Sequence, residues 1–108
     1  MVRAELMVTV KEMLENVISR IESIVGLYRA GDEEKANERI IFLIDDLAVL
    51  LEGIVESQFE WLEVDELNEK LQSLVEQLEN KDYLFVSDLL MYELLPLLQH
   101  WSGNIHHD

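Results

Sequence analysis

The sequence predicts an all-α domain, an antiparallel bundle of four helices. Apolar residues recur every three or four positions over long stretches, which is the period of one face of an α-helix. Only four Gly and one Pro occur in 108 residues, too few for the frequent turns of a β-sandwich or barrel. Apolar residues make up 49% of the chain, which is enough for one hydrophobic core at this length.

The first helix is predicted to run from near Val2 to Ala30, because its apolar positions keep helical spacing over about seven turns. These positions are Leu6, Val10, Met13, Leu14, Val17, Ile18, Ile21, Ile24, Val25 and Tyr28. Gly31 suits the left-handed conformation that follows many helices, and Asp32 is able to cap the next one. A turn this short predicts an antiparallel hairpin.

The second helix is predicted to open with Glu33 and Glu34 and to end near Leu62. Its apolar stripe comprises Ala36, Ile40, Leu43, Ile44, Leu47, Leu50, Leu51, Ile54 and Val55, and Phe59, Trp61 and Leu62 extend it. Asp65 is the predicted N-cap of a shorter third helix. The buried stripe predicted for that helix is Leu67, Leu71, Leu74, Val75 and Leu78.

The fourth helix is predicted from about Asp82 to Trp101, with a kink because Pro96 cannot donate a hydrogen bond to the carbonyl of Tyr92. Residues 1–101 then form a single domain, and residues 102–108 form a polar tail. The alternative is a three-helix bundle, in which the third and fourth helices are one bent element through Asn80 to Asp82.

Charge excludes several classes of partner. The chain carries 23 acidic and 8 basic residues, a formal net charge of −15. No basic residue lies between Arg39 and Lys70, where the acidic residues are Asp45, Asp46, Glu52, Glu56, Glu60, Glu63, Asp65, Glu66 and Glu69. This field repels nucleic-acid phosphate and anionic lipid. A basic protein is the complementary partner, although such a surface also simply favours solubility.

The sequence contains no recognisable active site. There is no Cys, and the only His residues are His100, His106 and His107, so the bundle interior lacks the Glu-x-x-His motifs of di-iron proteins. The four Gly stand alone, so no phosphate-binding loop is present. We therefore expect no enzymatic activity, no cofactor, no metal and no small-molecule substrate.

A cytoplasmic location is expected. Glu5 and Lys11 interrupt any signal-peptide pattern, and the run from Leu94 to Leu98 is far too short to cross a membrane.

The fourth helix is richer in apolar residues than a core requires. At about 100° per residue, one half of it carries Val86, Leu97, Leu90, Tyr83, Trp101, Leu94, Leu98, Met91, Leu84 and Leu95, and this half is the predicted core face. Phe85, Leu89 and Tyr92 fall on the other half. Either the helix is enclosed and these three residues are buried, or they form an exposed strip for a second copy or for an amphipathic partner helix.

Phe42 and Val49 form a second candidate surface. They lie one heptad apart on the acidic face of the second helix, beside Asp45 and Glu56. Apolar residues among carboxylates are suited to a basic amphipathic helix, but scattered surface apolar residues are also common.

Two segments resemble small, acidic, uncharacterised helical proteins of Firmicutes-type bacteria. The first is Ala30-Gly-Asp-Glu-Glu-Lys-Ala-Asn-Glu-Arg-Ile-Ile-Phe-Leu-Ile-Asp-Asp-Leu. The second, the more specific, runs from Glu79 to Leu98 and includes Lys81-Asp82-Tyr83, Ser87-Asp88-Leu89-Leu90 and Tyr92-Glu93-Leu94-Leu95-Pro96. In size, charge and pattern the chain is also loosely similar to flagellar and type III export chaperones. That similarity implies that Phe85, Leu89 and Tyr92 hold a client helix.

The leading hypothesis is a non-enzymatic protein–protein interaction module that uses the apolar strip on the fourth helix to self-associate as a homodimer or to bind an amphipathic helix. The alternative is an acidic regulator whose second helix masks a basic partner by mimicking the charge of nucleic acid.

Overall fold

The computed structural model describes residues 3–57 and 64–104, and the side chains of residues 8–54 and 64–104. Its helices are α1 (Arg3–Arg29), α2 (Glu33–Ser57), α3 (Val64–Glu79) and α4 (Tyr83–Leu89), followed without a break by a π-helical turn (Leu90–Leu94) and α5 (Leu95–Asn104). We call the last three together the C-terminal helix. The described residues contain no strand, and the prediction of an all-α four-helix bundle is confirmed.

Each helix packs beside its neighbours in the chain, and the C-terminal helix closes the bundle against α1. The molecule measures 44 × 22 × 20 Å, which matches helices of about 40 Å lying side by side. Within α2 the buried residues alternate at spacings of four and three: Ala36, Ile40, Leu43, Leu47, Leu50 and Ile54. This heptad pattern is typical of bundle cores. None of the described helices combines the length and apolar character needed to cross a membrane.

The turn between α1 and α2 is a Schellman motif. Gly31 has a positive φ of 84°, and the N–H groups of Gly31 and Asp32 donate to the carbonyls of Tyr28 (3.1 Å) and Leu27 (2.9 Å). The carboxylate of Asp32 then accepts a hydrogen bond from the N–H of Lys35 at 3.2 Å. The predicted glycine turn and aspartate cap are both present.

The turn between α3 and α4 repeats this construction with a different residue at the strained position. Lys81 has a positive φ of 57°, and the N–H groups of Lys81 and Asp82 donate to the carbonyls of Leu78 and Gln77, both at 3.0 Å. Asp82 caps α4 by accepting from the N–H of Phe85 at 3.2 Å. Because α3 ends in this turn, the third and fourth helices are separate elements.

The disturbance predicted near Pro96 takes the form of the π-helical turn. The N–H of Leu95 donates to the carbonyl of Leu90, five residues back rather than four. Pro96 has no N–H, and its ring would crowd the carbonyl of Tyr92 in a regular helix, so a wider turn relieves this conflict. Each residue of a π turn advances by less than 100°, so the buried face of α4 and that of α5 differ in register.

This change of register makes two of the predicted placements wrong. Leu84, predicted on the core half, is 76% exposed, and Leu89, predicted on the outer half, is 3% exposed. A single projection at 100° per residue averages the faces of α4 and α5, and this misplaces residues at the edge of each face.

Smaller differences occur elsewhere. Asp65 lies in the first turn of α3 rather than at its N-cap, because the helix already begins at Val64. Val75 is exposed, whereas it was predicted in the buried stripe. The helix predicted to stop at Trp101 continues to Asn104. The predicted end of the second helix, with Phe59, Trp61 and Leu62, and the terminal residues His106, His107 and Asp108 lie outside the described residues.

Candidate protein-binding surfaces

The face of α2 that points away from the core carries large apolar side chains. Ile41 is 59% exposed, Phe42 66% and Val49 56%. Ala48, also exposed, lies one heptad after Ile41, as Val49 does after Phe42. These four residues therefore form two short apolar rows along the helix, and we call them the outer strip of α2.

A row of carboxylates runs between the two rows of the outer strip. Glu38, Asp45 and Glu52 follow one another at heptad spacing, and all three are exposed. On a helical projection Asp45 lies about 40° from Ile41 and about 60° from Phe42. Each apolar side chain of the strip is therefore bordered by acidic groups.

Phe42 also lines a hollow at the junction of α1 and α2. The hollow has a volume of about 290 Å³, and its other lining residues are Arg20, Ser23, Ile24 and Arg39. The guanidinium of Arg39 donates a long hydrogen bond of 3.4 Å to the hydroxyl of Ser23, which holds the two helices together at the rim. The hollow thus offers an aromatic and an aliphatic wall beneath a polar edge.

A second hollow of about 340 Å³ lies next to it in the groove between α1 and α2. Its lining residues are Thr9, Glu12, Met13, Asn16, Val17 and Asp46. An ion pair between Arg20, which lines the first hollow, and Asp46, which lines the second, separates the two. Such an exposed pair contributes about 1 kcal/mol or less to stability.

The C-terminal helix does not present the predicted strip. Phe85 and Tyr92 are exposed as the outer-face placement requires, but Leu89 between them belongs to the core. The hydroxyl of Tyr92 accepts a hydrogen bond from the guanidinium of Arg29 at 3.3 Å, which ties this side chain to α1. Phe85, Leu89 and Tyr92 are therefore not one continuous surface.

Two tyrosines, Tyr28 and Tyr83, pack together at the end of the bundle that holds the two Schellman turns. The rings of Tyr28 and Tyr83 stack with centroids 5.9 Å apart, and the Tyr28 hydroxyl donates to the amide oxygen of Asn37 at 2.7 Å. Burial, aided by Tyr83 and by the charge of Glu33, raises the pKa of Tyr28 to about 12. A phenol with so high a pKa is a poor general acid and a poor nucleophile.

A cation between α3 and the C-terminal helix is also paired. The ammonium of Lys70 lies 3.3 Å from a carboxylate oxygen of Glu93 and 3.7 Å from one of Glu66. His100 lines the same shallow hollow but does not join the pair. Within residues 3–57 and 64–104, no three His, Asp or Glu side chains are grouped so as to hold a metal ion.

The sequence interpretation found Phe42 and Val49 but missed Ile41, which is slightly more exposed than Val49. The signal was available, because Ile41 and Ala48 repeat the spacing of Phe42 and Val49 one position earlier. An apolar pair repeated after seven residues, outside the heptad of the core, makes this face of α2 a candidate surface for a partner.

A family model described as a domain of unknown function, DUF8042, matches residues 5–104, and the chain therefore belongs to that family. The matched segment covers nearly all of the bundle. No curated protein and no solved structure matches the chain.

Proposed function

We propose that this DUF8042 domain is a non-enzymatic protein-binding module that holds an amphipathic helix of a partner along the outer strip of α2. The observation that carries the proposal is the repeat of exposed apolar pairs, Ile41 with Phe42 and Ala48 with Val49, after one heptad. A helix lying beside α2 presents its own apolar residues at the same interval. When both helices repeat their apolar residues every seven positions, this shared interval fixes how the partner helix is aligned along α2.

The dimensions suit a single helix as the ligand. From Glu38 to Glu52 the outer face extends for about 21 Å, the length of a partner helix of about 14 residues. The groove between α1 and α2 adds one hollow beside Phe42 and a second lined by Met13 and Val17, both able to accept larger side chains of that helix. Binding of an amphipathic client segment is also the activity that the similarity to export chaperones implies.

The outer strip of α2 is a better supported docking surface than the C-terminal helix. Burial of Leu89 leaves Phe85 and Tyr92 without an exposed apolar residue between them, and Tyr92 is engaged by Arg29. Self-association through the outer strip is opposed by charge, because two copies would bring their rows of carboxylates together.

The test is affinity capture from the native cell with three forms of the tagged protein: wild type, Ile41→Ser/Val49→Ser, and Leu84→Ser. All three replaced residues are exposed, so each variant should keep the helical circular dichroism of the wild type. We expect the double variant to lose the partner and the Leu84 variant to retain it, each identified by mass spectrometry. Capture of the same partner by all three forms would contradict the assignment to the outer strip.

A second candidate is the acidic regulator that masks a basic partner. It is favoured by the row of Glu38, Asp45 and Glu52 and by the absence of basic residues from position 40 to position 69. In this alternative the carboxylates bind the partner, and the apolar residues of the outer strip contribute nothing. The Ile41→Ser/Val49→Ser variant would then still capture the partner. The complex would dissociate as salt is raised to about 0.5 M, where charges are screened within a few ångströms.

A further inference from the structure

We infer that the helix held by the outer strip is basic, with Lys or Arg flanking its apolar residues. This inference rests on the proposed function and specifies its ligand. The carboxylates of Glu38, Asp45 and Glu52 lie between the apolar rows rather than at a distance from them. Any helix that covers both Ile41 and Val49 therefore also covers these carboxylates, and cations beside its own apolar residues are needed to compensate them.

The carboxylates of this row are free to pair with a partner. Arg20, a cation in the α1/α2 groove, is paired with Asp46. In the described part of the chain, Glu38, Asp45 and Glu52 form no ion pair. An apolar ligand with acidic flanks would face three uncompensated charges, whereas a basic helix would neutralise them.

The carboxylates of the outer face of α2 also disfavour a second copy of this chain as the ligand. A second copy of this chain, with its own net charge of −15, would oppose carboxylate to carboxylate along the whole contact. Arg20 and Arg39 both line the hollow beside Phe42, on the α1 side of the strip. The partner's cations are therefore expected over the row of carboxylates, between the two apolar rows.

Three fluorescent peptides of about 18 residues, long enough to span the strip, test this inference by anisotropy. One is helical, with Leu at heptad core positions and Lys at the flanking positions. The second replaces each Lys by Glu, and the third has the composition of the first in scrambled order. We expect the ordered Lys peptide to bind and each of the other two to bind at least about tenfold more weakly.

Variants of the protein separate the two parts of the contact. Asp45→Asn/Glu52→Gln should weaken binding of the ordered Lys peptide about fivefold and flatten its salt dependence. Ile41→Ser/Val49→Ser should weaken it about tenfold and leave the salt dependence unchanged. The matched control is Glu76→Gln/Glu79→Gln, which removes two exposed charges from α3, away from the strip, and should have little effect.

Each alternative result has a definite meaning. Equal binding of the Lys and Glu peptides would overturn the inference while leaving the proposed function intact. Equal binding of the ordered and scrambled Lys peptides would overturn both in favour of charge mimicry. Failure of all three peptides to bind would overturn the inference and the proposed function together.

Discussion

The phenol of Tyr28 loses its proton at a higher pH in the folded chain than in the unfolded chain. Burial is the main cause, and the neighbouring Tyr83 and Glu33 add to it, so that the pKa rises from 10.0 to about 12. Between these two pH values the unfolded chain loses the proton and the folded chain keeps it. The contribution of Tyr28 to the free energy of unfolding is therefore constant below about pH 10 and falls as the pH rises towards 12. Because Tyr28 is only half-buried, solvent screening limits the loss to about 1 kcal/mol.

Tyr28→Phe should abolish this alkaline loss of stability. The variant lacks the hydrogen bond to Asn37, which costs about 1 kcal/mol at neutral pH, so the change in stability from about pH 9 to about pH 11 is compared rather than its absolute value. Ultraviolet difference absorbance should show that the latest-titrating of the three tyrosines has disappeared. Tyr92→Phe is the control and should keep the late titration. A late titration that persists in Tyr28→Phe would refute the assignment.

Lys81 occupies a backbone conformation that favours glycine. Its φ of 57° matches the role of Gly31, whose φ is 84° in the equivalent turn. A side chain in this region costs about 1–2 kcal/mol, part of which is offset because glycine makes the unfolded chain more flexible. Lys81→Gly should therefore raise the free energy of unfolding by about 0.5 kcal/mol in urea denaturation. Gly31→Ala is the reciprocal control and should lower it by about 1 kcal/mol; destabilisation by Lys81→Gly would contradict this account.

At the scale of the element, the C-terminal helix shows how a local conflict changes a whole buried face. The π turn brings the apolar residues of α4 and those of α5 onto the core together. Val86 and Leu89 are buried before it, Leu90 and Leu94 within it, and Leu97 and Leu98 after it. In a regular helix one of these groups would turn partly to solvent. The excess of apolar residues in this segment is thus largely explained by core packing rather than by a docking strip.

Leu89→Ala and Leu84→Ala test this register directly. Removing the buried Leu89 side chain should cost about 2–5 kcal/mol in the free energy of unfolding, because it leaves a cavity in the core. Removing the exposed Leu84 side chain should change stability by about 0.5 kcal/mol or less. Both values come from chemical denaturation followed by circular dichroism. The opposite order would show that the helix follows the uniform register predicted from sequence.

Much of this architecture was predictable because its signals are local. Gly31, Asp32 and Asp82 define both hairpin turns, and the heptad of α2 defines its core face. The register of the C-terminal helix was not predictable from periodicity, since a projection assumes a constant angle per residue. Pro96 indicated that a disturbance was present, but its form depends on how the flanking apolar groups pack.

The candidate surface was predictable only in part. Phe42 and Val49 were identified by their position among carboxylates, and both are exposed. Ile41 was missed because it directly follows Ile40 of the core, and adjacent apolar residues are easily assigned to one stripe. Leu89 was assigned to the other surface by the uniform projection.

At the scale of the whole molecule, the balance of charge opposes the compact state. The chain has 23 acidic against 8 basic residues, and they share a body only 44 × 22 × 20 Å in size. In the part of the chain that the structure describes, Arg20 and Lys70 form ion pairs near the surface, where such pairs contribute little. Mutual repulsion among the remaining carboxylates therefore exceeds the attraction, and the fold depends on its apolar core.

Raising NaCl from about 10 mM to about 500 mM should accordingly stabilise the protein, because the screening length falls from about 30 Å to a few ångströms. We expect Tm to rise by about 4–8 °C, corresponding to about 1 kcal/mol for a domain of this size, measured by circular dichroism. Asp45→Asn/Glu52→Gln removes two charges from the most acidic helix face, so its Tm should be higher than that of the wild type at low salt and its gain with salt smaller. A Tm that falls with salt would contradict this account, because it would mean that attractive ion pairs outweigh the repulsion among the carboxylates.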